Sequence, residues 1–165
     1  MAITKFGDLD THTIGELPAV GSQAPPFTVA AADLSDLTNE SFPGQKLVLN
    51  IFPSVGTGVC AASVREFNQR AAGLDGVTVL CVSADLPFAL KQFCGAEGIE
   101  NVVTSSVFRN PEFGIDYGML LLDGGFRGLL ARSVVVLDSD STVLYSQVVP
   151  ATGQEPDYDA ALAAL

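Results

Sequence analysis

The chain has 165 residues, the length of one ordinary domain, and its 48% hydrophobic against 16% charged residues favour a packed core over disorder. Eight Lys and Arg stand against 19 Asp and Glu, a net charge of −11. That balance argues against nucleic acid or an anionic membrane as partner, because phosphate binding needs a basic patch.

In chain order, AITKF and THTIG flank the turn signal GDLD, which predicts a short N-terminal β-hairpin. His12, the lone histidine, is expected in an exposed turn. The N-terminus shows no basic stretch followed by an apolar one, and runs such as LVLNIF are too short to span a bilayer, so the cytoplasm is the expected address. In VGSQAPPFTV, Pro25 and Pro26 impose an extended path.

KLVLNIF is a continuous apolar run of strand length, the pattern of a strand covered on both faces. Thr57 to Leu74 is expected to be a helix, with Val59, Val64, Phe67 and Ala71 as its apolar stripe and Gly73 near its stop. VTVLCVSA predicts a second buried strand. ADLPFALKQFCGAEG predicts a short helix with Asp85 as N-cap, Pro87 in the first turn and Gly95 as breaker. NVVTSSV is a third strand, whereas the glycine-punctuated DYGMLLLDGGFRGLLA is assigned to no element. SVVVLDSDSTVLYSQVV predicts a hairpin and EPDYDAALAAL a closing helix. No repeat or linker divides the chain. The expectation is one domain over residues 1–165, of the α/β class, with helices on the faces of a mixed sheet.

Metal chemistry is disfavoured by inventory: one histidine, and three cysteines spaced 21 and 13 residues apart without a CxxC. Cys81, inside VTVLCVSA, is expected to pack as a small hydrophobe. Cys60 admits two readings. It is either a buried first-turn cysteine or a reactive thiol. With Thr57 as N-cap, Cys60 occupies the third helical position, beside the free N–H groups and the positive end of the helix dipole. Helix N-termini lower a thiol pKa from about 8.5 toward 7 or below. Before it, Pro53 stops the strand, and Ser54, Gly56 and Gly58 leave room for a small substrate. Cys94, in the last turn of its helix, is either a core cysteine beside Phe93 or a second redox partner in a segment able to fray.

PSVGTGVC resembles the peroxiredoxin signature PxxxTxxC. SVREFN, VLCVSADLPFALKQFCGAEGIENV and GLLARSVVVLD extend the resemblance, over nearly the whole chain, to the thiol peroxidase branch of that family. The resemblance implies a thioredoxin-like fold with an added N-terminal hairpin. It implies reduction of hydrogen peroxide and organic hydroperoxides without a cofactor or metal. Cys60 is then the peroxidatic cysteine and Cys94 the resolving one, joined to it in an intramolecular disulfide. Thr57 hydrogen-bonds peroxide and thiolate, Pro53 shields the pocket from water, and Arg132 donates to the thiolate and the substrate oxygen. Thioredoxin as reductant and a homodimer are the implied partners. The branch usually carries Asp where this chain has Gly56, which leaves the stiffness of the pocket loop open.

A disulfide needs Cα atoms within about 4.4–6.8 Å, so local unwinding near Cys60, Cys94 or both is expected during resolution. A thioredoxin-like oxidoreductase would carry a CxxC, and a Cys–His hydrolase would need an imidazole partner. A non-catalytic module on the same fold is the remaining rival.

Overall fold

A computed structural model describes residues 1–165. β1 (Ile3–Phe6) and β2 (Leu9–His12) form an antiparallel hairpin separate from the main sheet. Its turn passes through Gly7 at φ 63°, a left-handed conformation that glycine adopts without a Cβ clash. His12 ends a strand rather than lying in a turn. Its backbone N–H and its Nδ1 engage the Asp123 carboxylate at 2.8 and 2.7 Å.

The main sheet has seven strands. In chain order they are β3 (Thr28–Ala31), β4 (Asp36–Thr38), β5 (Lys46–Ile51), β6 (Val77–Ser83), β7 (Val103–Ser106), β8 (Ser133–Leu137) and β9 (Val143–Val148). Their spatial order is β4-β3-β7-β6-β5-β8-β9. β5, β6 and β7 run parallel, and the other pairings are antiparallel. Parallel neighbours need crossovers, supplied here by α1 (Gly58–Ala71) and α2 (Pro87–Glu97). α3 (Glu112–Asp116) and α4 (Tyr158–Ala163) complete the fold. No helix is long and apolar enough to cross a membrane.

The apolar runs KLVLNIF and VTVLCVSA are central strands because both of their faces are covered. Leu47, Leu49, Ile51, Leu80 and Val82 pack with Phe113 and Tyr117 on one face. Val48, Val79, Cys81, Val134 and Val136 meet Val64 and Phe67 of α1, Leu90 of α2 and Ala161 of α4 on the other. Each such fully buried aliphatic or aromatic side chain contributes about 1.5–3 kcal/mol.

Helix α2 differs from expectation at both ends. Its N-cap is Leu86, without a side-chain cap, and Pro87 opens the helix. Gly95 lies inside it. The chain stops at Gly98, at φ 66°, whose N–H bonds the Cys94 carbonyl. Glycine at a helix C-terminus is favoured because it enters the left-handed region freely, and Gly98 meets that need where Gly95 does not. The β3–β4 hairpin and α3 are further elements that the residue patterns did not announce. They are three to five residues long, too short for periodicity to register.

Candidate active site

β5 ends at Ile51, and Phe52, Pro53 and Val55 stay buried as the chain turns away from the sheet edge. Thr57 then caps α1. Its backbone is extended, and its Oγ1 accepts the Cys60 N–H at 3.4 Å while donating to the Ser54 carbonyl at 3.2 Å. The cap fixes Cys60 in the first turn, where the sulfur faces inward with 0% exposure.

Arg132 immediately precedes β8, the strand hydrogen-bonded beside β5. That neighbour relation carries its side chain to the end of the sheet where α1 begins. Nη2 donates to Cys60 Sγ at 3.3 Å and to the Thr152 carbonyl at 2.9 Å. Arg132 is 2% exposed and makes no ion pair with any carboxylate, and its Nε and Nη1 are buried without a protein partner. A buried guanidinium strongly favours a nearby anion. In its thiolate form, Cys60 Sγ is the anion that this geometry provides. Cys60, Thr57, Arg132 and Pro53 thus gather around one loop and one helix terminus.

Cys94 lies elsewhere. It projects from α2 toward β7, its Sγ 3.8 Å from Thr104 Oγ1, and it is half-buried. Burial pushes its thiol upward, partly offset by the Thr104 hydroxyl. Its anchor strand β7 and the Arg132 strand β8 stand three places apart in the sheet order, about 14 Å at ordinary strand spacing. All three cysteines are free thiols. Cys81 is 1% exposed, and burial pushes its thiol up to about 12. It pairs in register with Asn50 on β5 and Thr104 on β7, and Asn50 Nδ2 contacts Ser63 Oγ at 3.2 Å and Cys81 Sγ at 3.7 Å.

Asp85 performs a task that sequence reasoning missed. Its carboxylate accepts from Ser54 Oγ at 2.6 Å, the Val55 N–H at 2.9 Å and Ser83 Oγ at 2.7 Å. Position alone suggested an N-cap, but two of these donors come from the β5–α1 loop, 30 and 31 residues away, and replace that role. Its place in VLCVSADLPFALKQFCGAEGIENV, a stretch that carries the resemblance, was the available signal. Gly56 is exposed and donates its N–H to Ser54 Oγ at 3.0 Å. A Cβ at Gly56 would stand 3.3 Å from that same oxygen, so a larger residue there requires Ser54 to yield slightly.

The Redoxin family model matches residues 19–162. The thiol peroxidase of Mycobacterium tuberculosis strain H37Rv is 58% identical over 154 residues, covering 93% of this chain and 92% of that protein. The thiol peroxidase of Corynebacterium glutamicum is 55% identical over 165 residues, covering 100% and 99%. Among solved structures, a peroxiredoxin-like protein from Aquifex aeolicus superposes with a TM-score of 0.92 at 35% identity, covering 98% of this chain and 94% of that one. The chain therefore belongs to the redoxin family, in the thiol peroxidase branch of the peroxiredoxins.

Proposed function

We propose that Cys60 is the peroxidatic cysteine of a thiol-dependent peroxidase, with Cys94 as its resolving partner. The observation that supports this reading most strongly is the Arg132 guanidinium donating to Cys60 Sγ from a buried site without a carboxylate. The thiolate attacks one oxygen of a hydroperoxide. The S–O bond forms, the O–O bond breaks, and the electron pair leaves on the distal oxygen as alkoxide or hydroxide, which takes a proton. Cys60 becomes a sulfenic acid. Fixed donors near developing negative charge lower the barrier, and Arg132 holds its Nε and Nη1 donors, unpartnered in the protein, for that charge. Thr57 Oγ1 orients the peroxide, and Pro53, buried at the strand end, keeps water from the sulfur.

Cys94 then attacks the sulfenic sulfur, releasing water and forming the Cys60–Cys94 disulfide. A dithiol of the thioredoxin kind returns both cysteines to thiols and is itself oxidised. The functional unit is a homodimer.

Stopped-flow mixing with hydrogen peroxide and an alkyl hydroperoxide tests the assignment. Consumption is expected to vanish in Cys60→Ser, and undiminished turnover in that variant overturns it. In Cys94→Ser one peroxide is reduced per chain, and turnover then stalls without an added thiol.

A further inference from the structure

We propose that Asp85 is a positioning residue that holds the Cys60 loop and the Cys94 helix together, and thereby sets how Cys60 divides between attack on peroxide and resolution. The inference rests on the roles proposed above for Cys60 and Cys94. Asp85 directly precedes Leu86, the N-cap of α2. Its carboxylate reaches over to the β5–α1 loop and takes hydrogen bonds from Ser54 Oγ and the Val55 N–H, while Ser83 Oγ anchors it to the end of β6. Ser54 passes the constraint on. Its carbonyl receives both the N–H and the hydroxyl of Thr57, at 3.1 and 3.2 Å, and Thr57 Oγ1 receives the Cys60 N–H.

A continuous line of hydrogen bonds therefore runs from the root of the Cys94 helix to the backbone of Cys60. Hydrogen bonds to an ionised carboxylate are stronger than neutral ones, and two of these are made by the loop that positions Thr57. Intact, the clamp favours the packed arrangement in which Thr57 caps the Cys60 N–H and Arg132 donates to the sulfur. Resolution requires that arrangement to loosen, because Cys94 is anchored over β7. Both segments involved are tied at this one side chain. Gly56 makes the clamp more consequential, since the loop residue next to Thr57 brings no side chain of its own.

The test separates two rates in the full-length protein. Oxidation of Cys60 is measured by competition for hydrogen peroxide, and disulfide formation by quenched alkylation with mass analysis. In Asp85→Ala, oxidation is expected to slow by about tenfold, the scale of one lost charged hydrogen bond. Disulfide formation is expected to speed up, and the fraction overoxidised to sulfinic acid at high peroxide to fall. Asp85→Asn, which keeps one acceptor oxygen, should lie between, and Ser54→Ala should shift both rates in the same opposed sense. Adding Ser54→Ala to Asp85→Ala should change the rates less than Ser54→Ala does alone, because the Asp85–Ser54 link is already gone and only the Gly56 N–H to Ser54 Oγ bond remains to be lost. Two rates that fall together, or that both stay at the wild-type values in folded Asp85→Asn and Ser54→Ala, overturn the proposal. Failure of the underlying assignment is distinct: it shows as peroxidase activity in Cys60→Ser, or as no Cys60–Cys94 disulfide in the wild type.

Discussion

Arg132 Nη2 stands 3.3 Å from Cys60 Sγ although 72 residues separate them in the chain. The pair is sealed from solvent, with exposures of 2% and 0%. Charge there is screened little, so the contact bears on both stability and reactivity.

Arg132→Met tests which of the two it serves. Methionine keeps an unbranched side chain but removes the charge. Removing one partner of a buried charge pair leaves the other uncompensated, so the unfolding midpoint in urea should fall. The rate of Cys60 oxidation by peroxide should drop by about 10²–10³, the usual cost of losing a donor to a developing anion. Arg132→Lys should recover only part of it, because a lysine lacks the planar fork. Parallel urea melts and peroxide kinetics decide the matter.

Thr57→Val preserves shape and removes the cap oxygen. The Cys60 N–H and its helix terminus lose an acceptor, at a cost of about 1 kcal/mol in urea unfolding. Peroxide reduction should slow by more than the stability change alone produces, whereas Thr57→Ser should keep both properties close to the wild type.

The proposed Cys60–Cys94 bond joins the first turn of α1 to a cysteine that sits over β7 near the end of α2, so its formation is expected to displace at least one of them from its helix position. Amide hydrogen exchange should therefore lose protection around residues 58–64, 92–97 or both in the oxidised protein, while β5 and β6 remain protected. Equal protection of those segments in the two redox states would falsify the unwinding. The closed loop of 34 residues restrains the unfolded chain by about 3–4 kcal/mol, so the oxidised protein should remain folded.

Cys81 predicts a stability loss in alkali. Desolvation is the main cause that raises its thiol to about 12 from 9.0. Its stability contribution is complete below the unfolded value and is lost as pH rises toward the folded one. Unfolding free energy should fall by up to about 1.4 kcal/mol per unit from pH 9 to 12. Tyr117, also raised by burial, adds a loss of the same sign from about pH 10. In Cys81→Ala the loss between pH 9 and 10 should shrink to the part that Cys94, its thiol also raised by burial, contributes, as measured by urea unfolding across that range.

The residues themselves determined what depends on near neighbours. Apolar runs located β5 and β6, and the Thr57 cap with its following stripe located α1 and placed Cys60 in the first turn. Capping and periodicity involve groups only a few positions apart, so they are visible in a line of letters. Tertiary structure decided the partners. Arg132 reaches Cys60 because β8 lies beside β5, and Asp85 abandons the expected cap because donors 30 and 31 residues away lie within its reach. Strand order creates those meetings, and no local pattern encodes it.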